Sequence, residues 1–320
     1  MQEIWTEKYR PSTFSDMVGQ EIIIERVMAM AKEKNIPNLL FAGPPGVGKS
    51  TLALALAKEF YGNSWKEHFL ELNSSDERGI DVVRGIIKDF ARTKSVAQVP
   101  FRIIFLDECD SLTKEAQQAL RRTMENFTRN VRFILSCNIS SKIIDPVQSR
   151  CTVFRFKLVD NEAMTKIIER VATAEQLVID KRAEGAIQNV ADGDIRKAVN
   201  ILQTCAALNK IITEEHIYNI INAVRPREIR ELILLAINGE FMKSRDKLLD
   251  AMLKHGLSGL DLIKYIQKEI LNMELSDRDK AKFTELCGEI EFRLVEGSDE
   301  FIQLEALIAS FILIGSSYTK

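Results

Sequence analysis

The chain has 320 residues, 46% of them hydrophobic and 28% charged, with a formal net charge of −2. That length calls for two or three domains, and that composition describes a globular protein in water. No apolar run approaches the roughly 20 residues that span a bilayer, and Met1-Gln2-Glu3-Ile4-Trp5 lacks a basic-then-apolar leader pattern, so an intracellular protein without membrane contact is expected.

Charge is unevenly spread. Residues 1–160 carry 23 Lys and Arg against 20 Asp and Glu, a net +3; the remainder carries 21 against 26, a net −5. Any polyanion is therefore expected to meet the first half. Cys109, Cys137, Cys151, Cys205 and Cys287 form no C-x-x-C pair, which argues for buried reduced thiols over a zinc or redox site. His68, His216 and His255 are too dispersed to suggest a metal.

Strands are expected at Asn38–Ala42, His68–Leu72, Phe101–Leu106, Val131–Ser136 and Thr152–Phe156. Helical stretches lie between them, a pattern that predicts a parallel sheet covered on both faces. The first strand candidate runs into Gly43-Pro44-Pro45-Gly46-Val47-Gly48-Lys49-Ser50, followed by the helix former Thr51–Lys58. Strand, glycine loop and helix make G-x-x-x-x-G-K-[ST] a phosphate-binding loop and not an ordinary turn. Its backbone N–H groups would wrap phosphates, and the helix start adds positive potential. Lys49 would reach the β- and γ-phosphates of a nucleoside triphosphate, and the Ser50 hydroxyl would hold Mg²⁺.

Downstream, Arg102–Leu106 delivers Asp107 and Glu108 to the same edge of the sheet. Asp107 is expected to hold Mg²⁺ and Glu108 to polarise an attacking water. Asn138 follows the fourth strand candidate, where an amide could orient that water or serve only as a turn residue. Arg150 and Arg196 are planar cations suited to charge on a transferring phosphoryl group, with Asp194 placed as a helix N-cap before Arg196.

The helix candidate Gly79–Lys94 places Val83, Ile86, Ile87 and Phe90 on an apolar face and Arg84, Lys88 and Arg92 on a basic stripe at i, i+4, i+8. The candidate Lys114–Asn126 adds Lys114, Arg121 and Arg122. Such stripes are either solvated faces or tracks for a phosphate backbone. After Lys157 the strands are expected to stop. Helices are expected at Asn161–Glu175, Lys181–Ala191, Asp194–Ala207 and Glu214–Asn222, with a further helical block after Pro226. Ser258 and Ser276 fit helix starts, and Gly239, Gly256 and Gly297 fit helix ends.

Together these motifs resemble the AAA+ ATPases and, within them, the replication factor C small-subunit family of sliding-clamp loaders. Glu7-Lys8-Tyr9-Arg10-Pro11 resembles that family's opening motif, and Val18-Gly19-Gln20 the segment that helps seat adenine. Ser149-Arg150-Cys151 resembles its arginine finger, Asn138 its first sensor and Gly193-Asp194-Ile195-Arg196 its second. The family commonly has Asp-Glu-Ala-Asp where this chain has Asp107-Glu108-Cys109-Asp110; both working acids are kept, so hydrolysis is still expected.

The resemblance implies an α/β AAA+ P-loop NTPase core with a five-stranded parallel sheet (residues 1–160), a helical lid (161–223) and an all-α C-terminal collar for oligomerisation (224–320). It implies ATP and Mg²⁺, held by Val18, the loop from Gly43 through Pro44, Pro45, Gly46, Val47, Gly48, Lys49 and Ser50 to Thr51, and Arg196. Arg150 would act in trans on a neighbour's ATP, in a pentamer of small subunits with a large subunit. Sequence-independent primer–template DNA would meet Arg84, Lys88, Arg92, Lys114 and Arg121, and the clamp would meet the region Arg92–Val99. The compartment would be the cytoplasm for an archaeal chain and the nucleus for a eukaryotic one. Two other readings remain open: a branch-migration or helicase motor of the same superfamily, and a non-hydrolysing scaffold. The retained Lys49, Glu108 and Arg150 speak against the scaffold.

Overall fold

The computed structural model describes residues 4–75, 85–92, 100–221 and 224–315. The chain divides between Thr213 and Glu214 into two compact units.

The first unit is built on five parallel strands: β1 (Leu39–Ala42), β2 (Phe69–Asn73), β3 (Arg102–Asp107), β4 (Val131–Cys137) and β5 (Thr152–Arg155), in the order β2-β3-β4-β1-β5. Each expected strand is present, shifted by a residue or so at its ends. Every residue of β1 is buried, and the pleat sends alternate side chains to opposite faces. Leu39 and Phe41 join one apolar core with Ile103, Phe105 and Ile134. Leu40 and Ala42 join the other with Ile104, Leu106, Phe133 and Leu135. A sheet buried on both faces explains why these strands read as continuous apolar runs.

Asn38 sets the start of β1. Its carboxamide oxygen accepts from the Phe133 N–H at 2.9 Å, and its backbone carbonyl accepts from Thr152 at 2.8 Å. The chain reaches β2, β3 and β4 on one side of β1 before crossing to β5 on the other. The carboxyl ends of β3, β4 and β1 therefore lie side by side at a topological switch point, where open parallel sheets bind ligands.

Three helices follow, Asn161–Glu175, Lys181–Ala191 and Ile195–Ala206. Each starts on an aspartate, Asp160, Asp180 or Asp194, whose carboxylate accepts a backbone N–H three residues on. The expectation that strands stop after Lys157 is corrected: Val178–Ile179 pairs in parallel with Ile211–Ile212. Two residues carry no readable alternation, and the exposed Val178 and Ile211 look like surface residues in sequence.

The second unit is helical in its described residues, with helices Glu214–Ile221, Pro226–Ile237, Phe241–His255, Gly259–Asn272, Asp277–Val295 and Glu300–Gly315. Ser258 and Ser276 cap two of them as expected. Its core has its own centre in Leu232, Ile233, Leu262, Phe283 and Phe311, with the two aromatic rings edge to face at 4.6 Å. Among the described residues no helix is long and apolar enough to cross a membrane. All five cysteines are free; four are buried, and Cys151 is partly exposed. Burial pushes the Cys151 and Cys287 thiols up to about 12, and Cys137 and Cys205 up to about 11.

Candidate functional site

The glycine loop leaves β1 at the switch point and turns into the helix Lys49–Tyr61. Gly43, Gly46 and Gly48 all have φ in the left-handed range, at 154°, 70° and 97°, which side-chain-bearing residues rarely adopt. Two of them also have no room for a Cβ. At Gly43 it would stand 2.5 Å from the Phe156 carbonyl oxygen, and at Gly46 1.8 Å from a carboxylate oxygen of Asp194. The Gly46 carbonyl meanwhile accepts from the Ile195 N–H at 3.0 Å. The loop is thus clasped by the start of the helix that carries Arg196.

Lys49 opens the loop helix and is only 7% exposed. Its ammonium donates to the carbonyls of Gly43 and Pro44, both at 2.7 Å, and to Asn138 Oδ1 at 3.0 Å. Burial lowers its pKa, opposed by the negative potential of Asp107 and Asp110. The next residue, Ser50, donates through its hydroxyl to Asp107 Oδ2 at 2.6 Å. These two hard oxygens converge from the loop helix and from β3, a donor pair that suits Mg²⁺.

β3 ends at Asp107, and the chain then turns sharply. Glu108 has φ of 52°, unusual for a side-chain-bearing residue. Its N–H donates to Asp107 Oδ1 at 3.0 Å, and its carbonyl accepts from both the N–H and the hydroxyl of Ser111. A left-handed glutamate held this way at a strand end is the kind of backbone strain that clusters at functional sites. Cys109 packs beneath, 1% exposed, its thiol donating to the Leu106 carbonyl. It fills a small buried position, as expected from sequence.

A cleft of about 290 Å³ lies over the loop. Pro45, Gly46, Val47, Gly48, Lys49, Ser50 and Thr51 line it, together with Asp107, Glu108 and Asn138. Val18 and Arg196 line it too, as do Tyr9, Arg10 and Pro11 of the opening motif. Ile167, Val171 and Val199 add an apolar wall from the three-helix segment. A glycine-loop backbone and an apolar wall in one cleft suit a nucleoside triphosphate. Gly43 and Pro44 sit at the loop's root and act through their carbonyls on Lys49.

Two fastenings around this cleft have no local sequence signal. Glu175, far along the chain, accepts from Lys8 at 2.6 Å and from the Tyr9 hydroxyl at 2.5 Å, tying the opening motif to the three-helix segment. The Lys8 and Tyr9 hydrogen bonds hold the Glu175 carboxyl below the usual carboxylate range. Gln20, 6% exposed, bonds the Lys157 backbone through both amide atoms.

Arg150 is not among the cleft residues. Its guanidinium donates to the Pro146 carbonyl at 2.7 Å and to Glu125 Oε1 at 2.5 Å. The same carboxylate oxygen accepts from Arg121 at 3.1 Å, so Arg121 is already engaged in an ion pair. Of the other basic candidates, Lys88 is half-buried while Arg92 and Lys114 are exposed; Arg84 lies outside the described residues, as do Val83 and most of the 92–99 region. The helix is described over Ile86–Arg92, and there Ile87 and Ala91 are the buried residues. Ile86, expected on the apolar face, is instead 44% exposed, since the described turn buries its Ile87 and Ala91 side.

Comparison with known proteins agrees with this geometry. Residues 39–158 match the family model "ATPase family associated with various cellular activities (AAA)", and residues 224–310 match "Replication factor C C-terminal domain". A Methanococcus maripaludis protein named replication factor C small subunit is 50% identical over 97% of this chain and 98% of its own length. Proteins of the same name from Thermofilum pendens and Sulfolobus acidocaldarius are 48% and 47% identical over 100% and 99% of this chain, and 99% and 98% of their own lengths. Among solved structures, the Thermotoga maritima RuvB Holliday junction branch migration motor superimposes with a TM-score of 0.57 at 18% identity, covering 72% of this chain and 79% of its own; at that identity it shows the shared fold alone. With nearly full-length identity near one half to these proteins, and with an intact phosphate loop, paired strand-end acids and a C-terminal helical unit, the chain belongs to the replication factor C small-subunit family of AAA+ ATPases.

Proposed function

We propose that this ATPase is a clamp-loader subunit that opens a sliding clamp and places it on primer–template DNA, with hydrolysis releasing the loaded clamp. The observation that carries this reading is the position of Arg150. Lys49, Ser50, Asp107, Glu108, Asn138 and Arg196 gather in one cleft, and Arg150 stands outside it. The finger then serves a neighbour's ATP, which makes the working unit an assembly of copies and fits a ring around DNA.

Within that reading each residue has a task. The loop N–H groups and Lys49 bind the β- and γ-phosphates, and Val18 with the apolar wall seats adenine. Ser50 and Asp107 hold Mg²⁺, which when bound supplies charge neutralisation at the phosphates. Glu108 accepts a proton from the attacking water, Asn138 orients that water, and Arg196 stabilises charge from the same chain. Residues 161–223 act as the lid and 224–320 as the collar joining other small subunits and a large subunit. Lys88, Arg92 and Lys114, with Arg84, track the DNA backbone without reading bases. ATP binding favours the clamp- and DNA-binding state, and hydrolysis weakens it. The archaeal relatives support a cytoplasmic setting.

The motor reading has less support. Between Glu108 and Asn138 the chain makes one 3-10 turn, one helix and one strand, with no added hairpin. Mixing Lys49→Ala and Arg150→Ala chains tests the shared site. Each alone is inactive, and the mixed assembly regains part of the ATPase wherever an intact loop meets an intact finger. Failure to complement in a verified mixed assembly would sink the trans assignment.

A further inference from the structure

Asp110 is the one acid of the Asp107-Glu108-Cys109-Asp110 run with no part in the scheme above, and its contacts are specific. It sits in the short turn Cys109–Ser111 that follows β3. Its Oδ2 accepts two backbone N–H groups from the end of the next strand, Asn138 at 3.3 Å and Ile139 at 3.1 Å. Both donors lie beyond the last paired residue of β4, Cys137, and among the described residues they have no ladder partner. Asn138 in turn accepts the Lys49 ammonium through its side-chain oxygen, and the preceding carbonyl, Cys137, accepts the Gly43 N–H at 3.1 Å. The carboxylate therefore closes a circuit through the ends of β3, β4 and β1.

We propose that Asp110 is a positioning residue for ATP hydrolysis: it fixes the backbone of Asn138 so that the amide side chain faces Lys49 and the reacting phosphate. It touches no reacting atom. The inference rests on the reading of Asn138 as the amide that orients water, and it assigns the last acid of the run a task that local sequence does not reveal. A carboxylate taking two strand-end N–H groups is short, rigid and independent of any long side chain. A second effect runs with it: the negative potential of Asp110 also favours the charged form of Lys49. The two effects separate chemically, because asparagine keeps an oxygen acceptor and loses the charge.

The test uses the full chain in its assembled form, with kcat, KM, the dissociation constant for a slowly hydrolysed ATP analogue, and the melting temperature measured together. Asp110→Ala should lower kcat about 10- to 100-fold, the usual penalty for displacing a catalytic group by about an ångström, while analogue affinity stays within a few-fold. Asp110→Asn should recover most of kcat. Equal losses in Asp110→Ala and Asp110→Asn would overturn positioning in favour of charge alone. A fall in melting temperature with kcat unchanged would reduce Asp110 to a structural cap and overturn the proposal. Asn138→Ala is the control: if it hydrolyses ATP normally, the Asn138 reading fails, and Asp110 then has nothing to position.

Discussion

At the scale of single residues, Gly46 is the contact on which the loop and the three-helix segment meet. Its left-handed backbone alone penalises alanine by about 1–2 kcal/mol. The carboxylate of Asp194 stands where the new methyl would go, while that same carboxylate caps the helix Ile195–Ala206 by accepting from Lys197. Gly46→Ala must therefore distort the loop or push away the helix that carries Arg196. We expect its ATP dissociation constant to rise at least tenfold, about 1.4 kcal/mol, by calorimetric titration. Asp194→Ala costs the helix its cap, roughly 1 kcal/mol, yet it removes the obstructing group. The double variant should then bind ATP better than Gly46→Ala alone, a coupling that a double-mutant cycle reads directly. Strict additivity would mean that the clash does not set the affinity. Gly43→Ala offers a contrast, since the obstructing atom there is the Phe156 backbone carbonyl, which no side-chain change relieves.

At the scale of elements, the helices Ile86–Arg92 and Lys114–Asn126 present the basic groups assigned to DNA. Lys88 and Lys114 are the better probes, because Arg121 already shares Glu125 with Arg150. Each phosphate contact to duplex DNA contributes about 0.9 to the slope of log K against log salt concentration. Lys88→Ala with Lys114→Ala should flatten that slope by about 2 and weaken binding alike on unrelated sequences, as measured by anisotropy across a salt series. An unchanged slope would make both helices ordinary solvated faces. The elements themselves were largely legible because their signals are local. Asp160, Asp180, Asp194, Ser258 and Ser276 each start a helix through a contact within three residues. The loop and the strand-end acids, which the structure brings to one cleft, could be picked out for the same reason, since glycine spacing and buried strands are local patterns. What sequence could not show are pairings between distant segments: Tyr9 with Glu175 at a separation of 166 residues, Asn138 with Asp110 at 28, Arg150 with Glu125 at 25. Each is a polar contact whose partner is chosen by the fold, and neither residue of a pair carries a period or a spacing that names the other.

At the scale of the whole molecule, the chain can be cut between its two compact units. Among the described residues, those lining the nucleotide cleft fall between Trp5 and Val199, within the first unit. The second unit has a separate apolar core centred on Phe283 and Phe311. A fragment of residues 1–213 should therefore keep its sheet and the apolar cores on the sheet's two faces, and it should bind ATP within a few-fold of the full chain. Hydrolysis is a different matter, because Arg150 bonds Glu125 and Pro146 and is not among the residues lining its own cleft. If the helical unit supplies assembly, the fragment is a monomer with a filled but incomplete site. Its ATPase should fall by about the 10³-fold or more that an arginine finger supplies, and adding finger-intact full-length chains should restore turnover in proportion to mixed assembly. Sedimentation fixes the oligomeric state, an analogue titration fixes binding, and phosphate release fixes the rate. A monomeric fragment that hydrolysed ATP at the full chain's rate would put the whole catalytic set in one chain and remove Arg150 from its neighbour's site.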